Sequence, residues 1–112
     1  MDINELNKLR NEISFMLDES FGVFEYRGCG ANVGVWETKD TERLEKPIGD
    51  SYWLSKFRLW VFQPTQYGIQ IKVEIFLNSV YEWETAFEGY IDGLIDITKI
   101  LNFQLGLKRV KK

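Results

Sequence analysis

Histidine is absent from the chain, and Cys29, set between Gly28 and Gly30, is its only cysteine. Without imidazole there is no ready general base near neutral pH, no proton shuttle and no partner for a Ser-His or Cys-His pair. A structural zinc site draws four ligands mainly from Cys and His, which this composition does not supply. A thiol between glycines becomes nucleophilic where turn amides lower its pKa, but no activating base adjoins Cys29 in sequence. Glu25, Glu37 and Glu74 fall on strand-like runs and could share a sheet face, yet no motif pairs them as acid and base. Gly28, Gly30 and Gly34 superficially match a phosphate loop. Such a loop follows a strand and opens a helix, whereas another strand pattern follows here, so hairpin geometry is the reading. No catalytic residue, metal ligand or cofactor is therefore expected.

What remains is recognition by surface. Trp36, Trp60, Phe62 and Phe76 lie on runs where Lys56, Arg58 and Lys72 are interleaved. Rings beside cations serve protein partners, and they also serve single-stranded nucleic acids, whose bases stack on rings while cations hold phosphates. The expected partner-binding residues on the sheet are Trp36, Lys56, Arg58, Trp60, Phe62 and Phe76. Glu84, Glu88, Asp92 and Asp96, four apart in succession, add an acidic row for a basic partner.

The elements that must position these residues follow from periodicity. Phe57, Leu59 and Val61 alternate with polar or aromatic neighbours, as do Ile69, Ile71, Val73, Ile75 and Leu77, and Gln63 to Gly68 between them carries Pro and Gly. The two runs predict an antiparallel pair with Val61 opposite Ile69, Leu59 opposite Ile71 and Phe57 opposite Val73. That register sets Lys56 across from Glu74 and Arg58 beside Lys72. Upstream, Asp2 followed by Glu5 predicts a capped helix over about 3–18, with Ile3, Leu6, Leu9, Ile13, Phe15, Met16 and Leu17 mostly at helical spacing. Phe24 and Tyr26 then alternate with Glu25 and Arg27. A second strand over 31–38 places Val33 and Val35 on one side and Asn32, Gly34, Trp36 and Thr38 on the other. The polar stretch 39–50 reads as a loop with a modest claim to a binding role.

After the central pair, Ser79-Val80-Tyr81-Glu82 repeats the capping pattern. Val80, Trp83, Phe87, Tyr90, Ile91, Leu94, Thr98 and Leu101 then predict a long second helix. Gly89 and Gly93 would form a row on it where helix one, or a second copy in a homodimer, could approach closely.

The expected architecture is α+β, in the order α-β-β-β-β-α: a four-stranded antiparallel sheet with both terminal helices on one face, over residues 1–107, and a basic tail at 108–112. Formal net charge is −3. Lys108, Arg109, Lys111 and Lys112 make the tail basic, so the body is more acidic than the total, which argues against nonspecific phosphate-backbone binding. No apolar run is long enough to span a bilayer, and Met1-Asp2-Ile3-Asn4-Glu5 does not open a secretory signal, so a cytoplasmic protein without membrane association is expected. The function these features imply is non-catalytic protein binding, by a small acidic inhibitor, immunity-type protein or adaptor. Single-stranded nucleic-acid binding through the Lys/Arg-aromatic face is the alternative.

Overall fold

The computed structural model describes residues 2–28, 32–39, 54–77 and 80–107. The expectations for Cys29, Gly30, most of the 39–50 loop and the basic tail lie outside the described residues. Helix α1 spans Ile3–Ser20. Asp2 caps it, its Oδ1 accepting from the Glu5 backbone N–H at 2.9 Å, and that bond holds the Asp2 carboxyl below its ordinary value. Leu6, Leu9, Ile13, Met16 and Leu17 form its inward stripe. The helix ends where Phe21 and Gly22 both donate to the Leu17 carbonyl, Gly22 taking the left-handed φ of +74° that such a stop requires.

Five strands follow: β1 (Phe24–Gly28), β2 (Gly34–Thr38), β3 (Leu54–Val61), β4 (Ile69–Leu77) and β5 (Glu82–Ile91). They form one antiparallel meander in the order β1-β2-β3-β4-β5. A short helix α2 (Ile95–Lys99) widens into a π-helical turn over Ile100–Gln104. The architecture is thus α+β, an N-terminal helix, a five-stranded antiparallel sheet and a C-terminal helix. Phe57, Leu59, Val61, Ile71 and Val73 make the inner sheet face. They join Ile13 and Leu17 of α1, Ile97 of α2 and Leu101 of the π-helical turn in one buried core.

The expected long second helix is corrected: residues 82–91 are a strand, and the helix begins only at Ile95. The cause is a β-bulge. Val73 pairs with Phe87 but Glu74 pairs with Thr85, so Ala86 is the extra residue. Before the bulge Trp83 and Thr85 point outward; after it Phe87, Gly89 and Ile91 point inward. The phase change leaves large apolar residues at 83, 87 and 91, a spacing of four that imitates a helix. Between β4 and β5 Tyr81 takes φ +53°, with its N–H on the Leu77 carbonyl at 2.8 Å.

Candidate functional site

The side of the sheet away from the helices is built by residues alternating with the core. From β1 to β5 it carries Glu25 and Arg27, then Val35 and Glu37, then Lys56, Arg58 and Trp60. Lys72, Glu74 and Phe76 follow, then Trp83, Thr85, Glu88 and Tyr90. The β3–β4 register differs from the expected one by two residues: Val61 pairs with Ile71, Leu59 with Val73 and Arg58 with Glu74. A two-residue shift leaves every side chain on its face, so alternation alone does not distinguish the registers. The turn decides. Thr65 and Gly68 exchange backbone hydrogen bonds of 2.8 and 3.0 Å, with Gly68 at φ +112°, which moves the reversal to Gln66-Tyr67. As a result Arg58 faces an acid and not Lys72.

Glu37 is the electrostatic centre of this face. It is only 8% exposed, with Arg27 Nε at 3.3 Å, Lys56 Nζ at 3.6 Å and an Arg58 terminal nitrogen at 3.9 Å. Arg27 also meets Glu25 at 3.0 Å, and Arg58 also meets Glu74 at 3.7 Å. Glu74 in turn accepts the indole N–H of Trp60. The Arg58 guanidinium sits 3.7 Å from the centre of the Trp83 ring, a cation–π contact. Trp83 packs on Phe76, centroids 5.2 Å apart, and Phe76 meets Tyr81 at 6.3 Å. Among the residues expected to bind a partner, the fold brings Lys56, Arg58, Trp60 and Phe76 onto this one face. Phe62 follows β3, half-buried, with its N–H on the Gln70 carbonyl at 3.0 Å.

Trp36 is a correction. It points to the core side at 1% exposure, its indole N–H donating to Ser14 Oγ at 2.9 Å and its ring packed on Tyr26. The facing of the second strand is therefore inverted: Gly34, Trp36 and Thr38 look inward, Val35 and Glu37 outward. Val33, just ahead of β2, is buried as well, and that apolar residue out of phase with the strand misdirects the alternation. Gly34 makes room for the rings, because a Cβ there would stand 2.7 Å from Trp36 and 2.8 Å from Tyr26.

The acidic row and the glycine row, both drawn on a helix, are not surfaces of this fold. Glu84 pairs opposite Ile75 and Glu88 opposite Lys72, and the Ala86 bulge between them puts the two carboxylates on opposite faces. Asp92 follows the strand. Asp96 belongs to α2, where its carboxylate accepts from the N–H groups of Asp92 at 3.1 Å and Gly93 at 3.3 Å. Gly89 lies in β5 opposite Ile71, and Gly93 lies in the connection to α2, so no helical glycine seam exists for self-association.

Reasoning from sequence missed Trp83, assigned to the buried side of a helix, and did not see that Glu37 and Glu74 join the cations into one network. The available signal was their shared sheet face combined with the surplus of nearby cations. Among the described residues no group of three or more carboxylate or thiol side chains gathers where a metal ion could sit, and no helix is long and apolar enough to cross a membrane. No protein-family model, curated protein or solved structure matches this chain.

Proposed function

We propose that this is a non-catalytic protein-binding domain, of the small acidic inhibitor or adaptor kind, whose partner docks on the outer sheet face around Arg58, Trp60, Phe76 and Trp83. One observation carries the reading: both helices pack on the inner face, while three large rings and an arginine share the opposite one. Trp, Tyr and Arg are the side chains that dominate interface energetics. Arg27, Lys56 and Arg58 are already engaged by carboxylates, which favours a protein partner over a phosphate backbone that would need free cations.

The test is quantitative affinity capture with the wild-type chain and a Phe76→Ala/Trp83→Ala double variant. Removing two central rings should reduce recovery of a specific partner about tenfold or more. Circular dichroism should stay native, since neither ring belongs to the core. Equal recovery by the double variant would end this reading. Titration with a labelled single-stranded oligonucleotide at low salt tests the other ligand class, and tight binding lost in Trp60→Ala would replace the protein partner with nucleic acid.

A further inference from the structure

On α1, Glu5, Lys8, Glu12 and Glu19 are charged and exposed, as on an ordinary solvated helix surface. Asn7, Arg10, Asn11 and Ser14 recur at i, i+3, i+4 and i+7, a single stripe of amides, a hydroxyl and one guanidinium beside the apolar one; Asp18 continues that row a turn further on and does not line the groove beside it. This stripe borders a groove of about 500 Å³ whose opposite wall is Tyr26 of β1.

Arg10 is held there by neutral oxygens only. Its Nε–H donates to the Val33 carbonyl at 2.6 Å, one terminal nitrogen to Asn7 Oδ1 at 3.1 Å, and the other to the Asn32 carbonyl at 3.4 Å. The other described arginines differ: Arg27 meets Glu25 and Glu37, and Arg58 meets Glu37 and Glu74. Arg10 is thus the one described arginine with no carboxylate beside it among the described residues. A guanidinium carries five N–H donors in a planar fork, so three bonds leave one N–H on each terminal nitrogen for an anion. Around it the Asn11 amide offers both a donor and an acceptor, and the Asn7 amide N–H groups and the Ser14 hydroxyl proton offer further donors, the mixture that hydroxyl groups require.

We propose that this groove binds a small molecule bearing an oxyanion, phosphate or carboxylate, on a hydroxyl-rich body. Arg10 takes the anion, and Asn11 orients the rest. The inference is independent of the outer sheet face, which lies on the side of the sheet away from α1.

The probes are glucose 6-phosphate, gluconate and glucose, each titrated at matched ionic strength into ¹⁵N-labelled protein, with the Arg10 Nε–H and Asn11 side-chain amide signals followed by NMR. Saturable shifts with either anion, and binding of glucose about tenfold weaker or less, support the proposal, because a charge-assisted contact separates them. Whichever anion binds more tightly identifies the head group. Asn11 is exposed and takes no part in the bonds described above, so Asn11→Leu should preserve the fold and weaken the anion about fivefold, the equivalent of one hydrogen bond. Arg10→Lys keeps the charge but loses the fork and should weaken binding further. Absence of saturable shifts with both anions, equal binding of glucose, or unchanged affinity in Asn11→Leu would overturn the assignment.

Discussion

Replacing Glu37 with Gln tests whether the outer face is held by its ion pairs or merely decorated with them. The carboxylate has three cations within 4 Å, at 3.3, 3.6 and 3.9 Å. At an effective dielectric of about 20, each such contact amounts to roughly 4 to 5 kcal/mol of gross attraction. That figure is far from net, because the Arg27, Lys56 and Arg58 side chains stay 49, 41 and 26% exposed and keep much of their hydration. Discounting each contact to the ~0.2–1 kcal/mol measured for exposed pairs gives about 1–3 kcal/mol for the set. Burial of the Glu37 carboxylate itself opposes this sum, while the substitution leaves Lys56 without its carboxylate and Arg27 and Arg58 with only Glu25 and Glu74, which reinforces it. Urea unfolding followed by tryptophan emission is the assay, since urea leaves ionic strength unchanged. The midpoint should fall by an amount equivalent to about 1–3 kcal/mol with an unchanged m-value. Raising salt to about 1 M, where the Debye length is ~3 Å, should shrink the difference between the two proteins. A loss below about 0.5 kcal/mol, the range of an ordinary surface substitution, would refute the central role given to Glu37. So would a larger loss that salt does not change.

Ser14→Ala should cost about 1–3 kcal/mol in the same assay, because it leaves the buried Trp36 indole N–H without its acceptor. Gly34→Ala should cost about 2 kcal/mol or more, since the new methyl would collide with the Trp36 and Tyr26 rings; Gly93→Ala, with nothing within 4 Å, should stay within about 0.5 kcal/mol. The Asp2 carboxyl is depressed in the folded state by its cap on Glu5, so the cap adds stability above the unfolded-state pKa, and that contribution is lost as pH falls through the folded value. An acid titration of α1 helicity should therefore flatten in Asp2→Ala, and an unchanged acid limb would show that the cap contributes nothing.

Period-two alternation marked the central β3–β4 pair correctly, because both runs are half-buried and nearly uninterrupted, and α1 was legible from its cap and apolar spacing. The failures have two physical sources. A two-residue register shift is invisible to alternation, so the partner of Arg58 depended on a turn whose geometry rests on Gly68 and Thr65. A bulge, in contrast, breaks alternation outright, and at Ala86 it converted a strand into an apparent helix. That one feature relocated Trp83, Glu84, Glu88 and Gly89. Trp36 was misplaced for a related reason: Val33 is buried ahead of the strand, and its side was taken for the core side when the larger indole occupies it. The cations and rings of β3 and β4 were readable as neighbours; the carboxylates that bind them together were readable only as members of the same face.

On the protein-binding function proposed above, the network would bear on recognition as much as on stability. Arg58 is fixed between Glu37 and Glu74 and lies on the Trp83 ring, while Trp60 is tied to Glu74 and Trp83 leans on Phe76. Side chains so constrained lose little further freedom when a partner arrives, and the ~0.5–1.5 kcal/mol usual for ordering each long side chain is largely avoided. Mutual neutralisation also means that a partner need not desolvate bare charges at the centre. Its charge preference would instead be set toward the β5 edge, where exposed Glu88 and Tyr90 lie. It follows that Glu37→Gln should weaken partner capture as well as stability, by removing one of the two carboxylates that hold Arg58 against Trp83. Phe76→Ala should lower capture with a smaller effect on unfolding, because Phe76 makes ring contacts but belongs to no ion pair. A Phe76→Ala variant whose capture falls no more than its stability would show that the rings serve the fold alone.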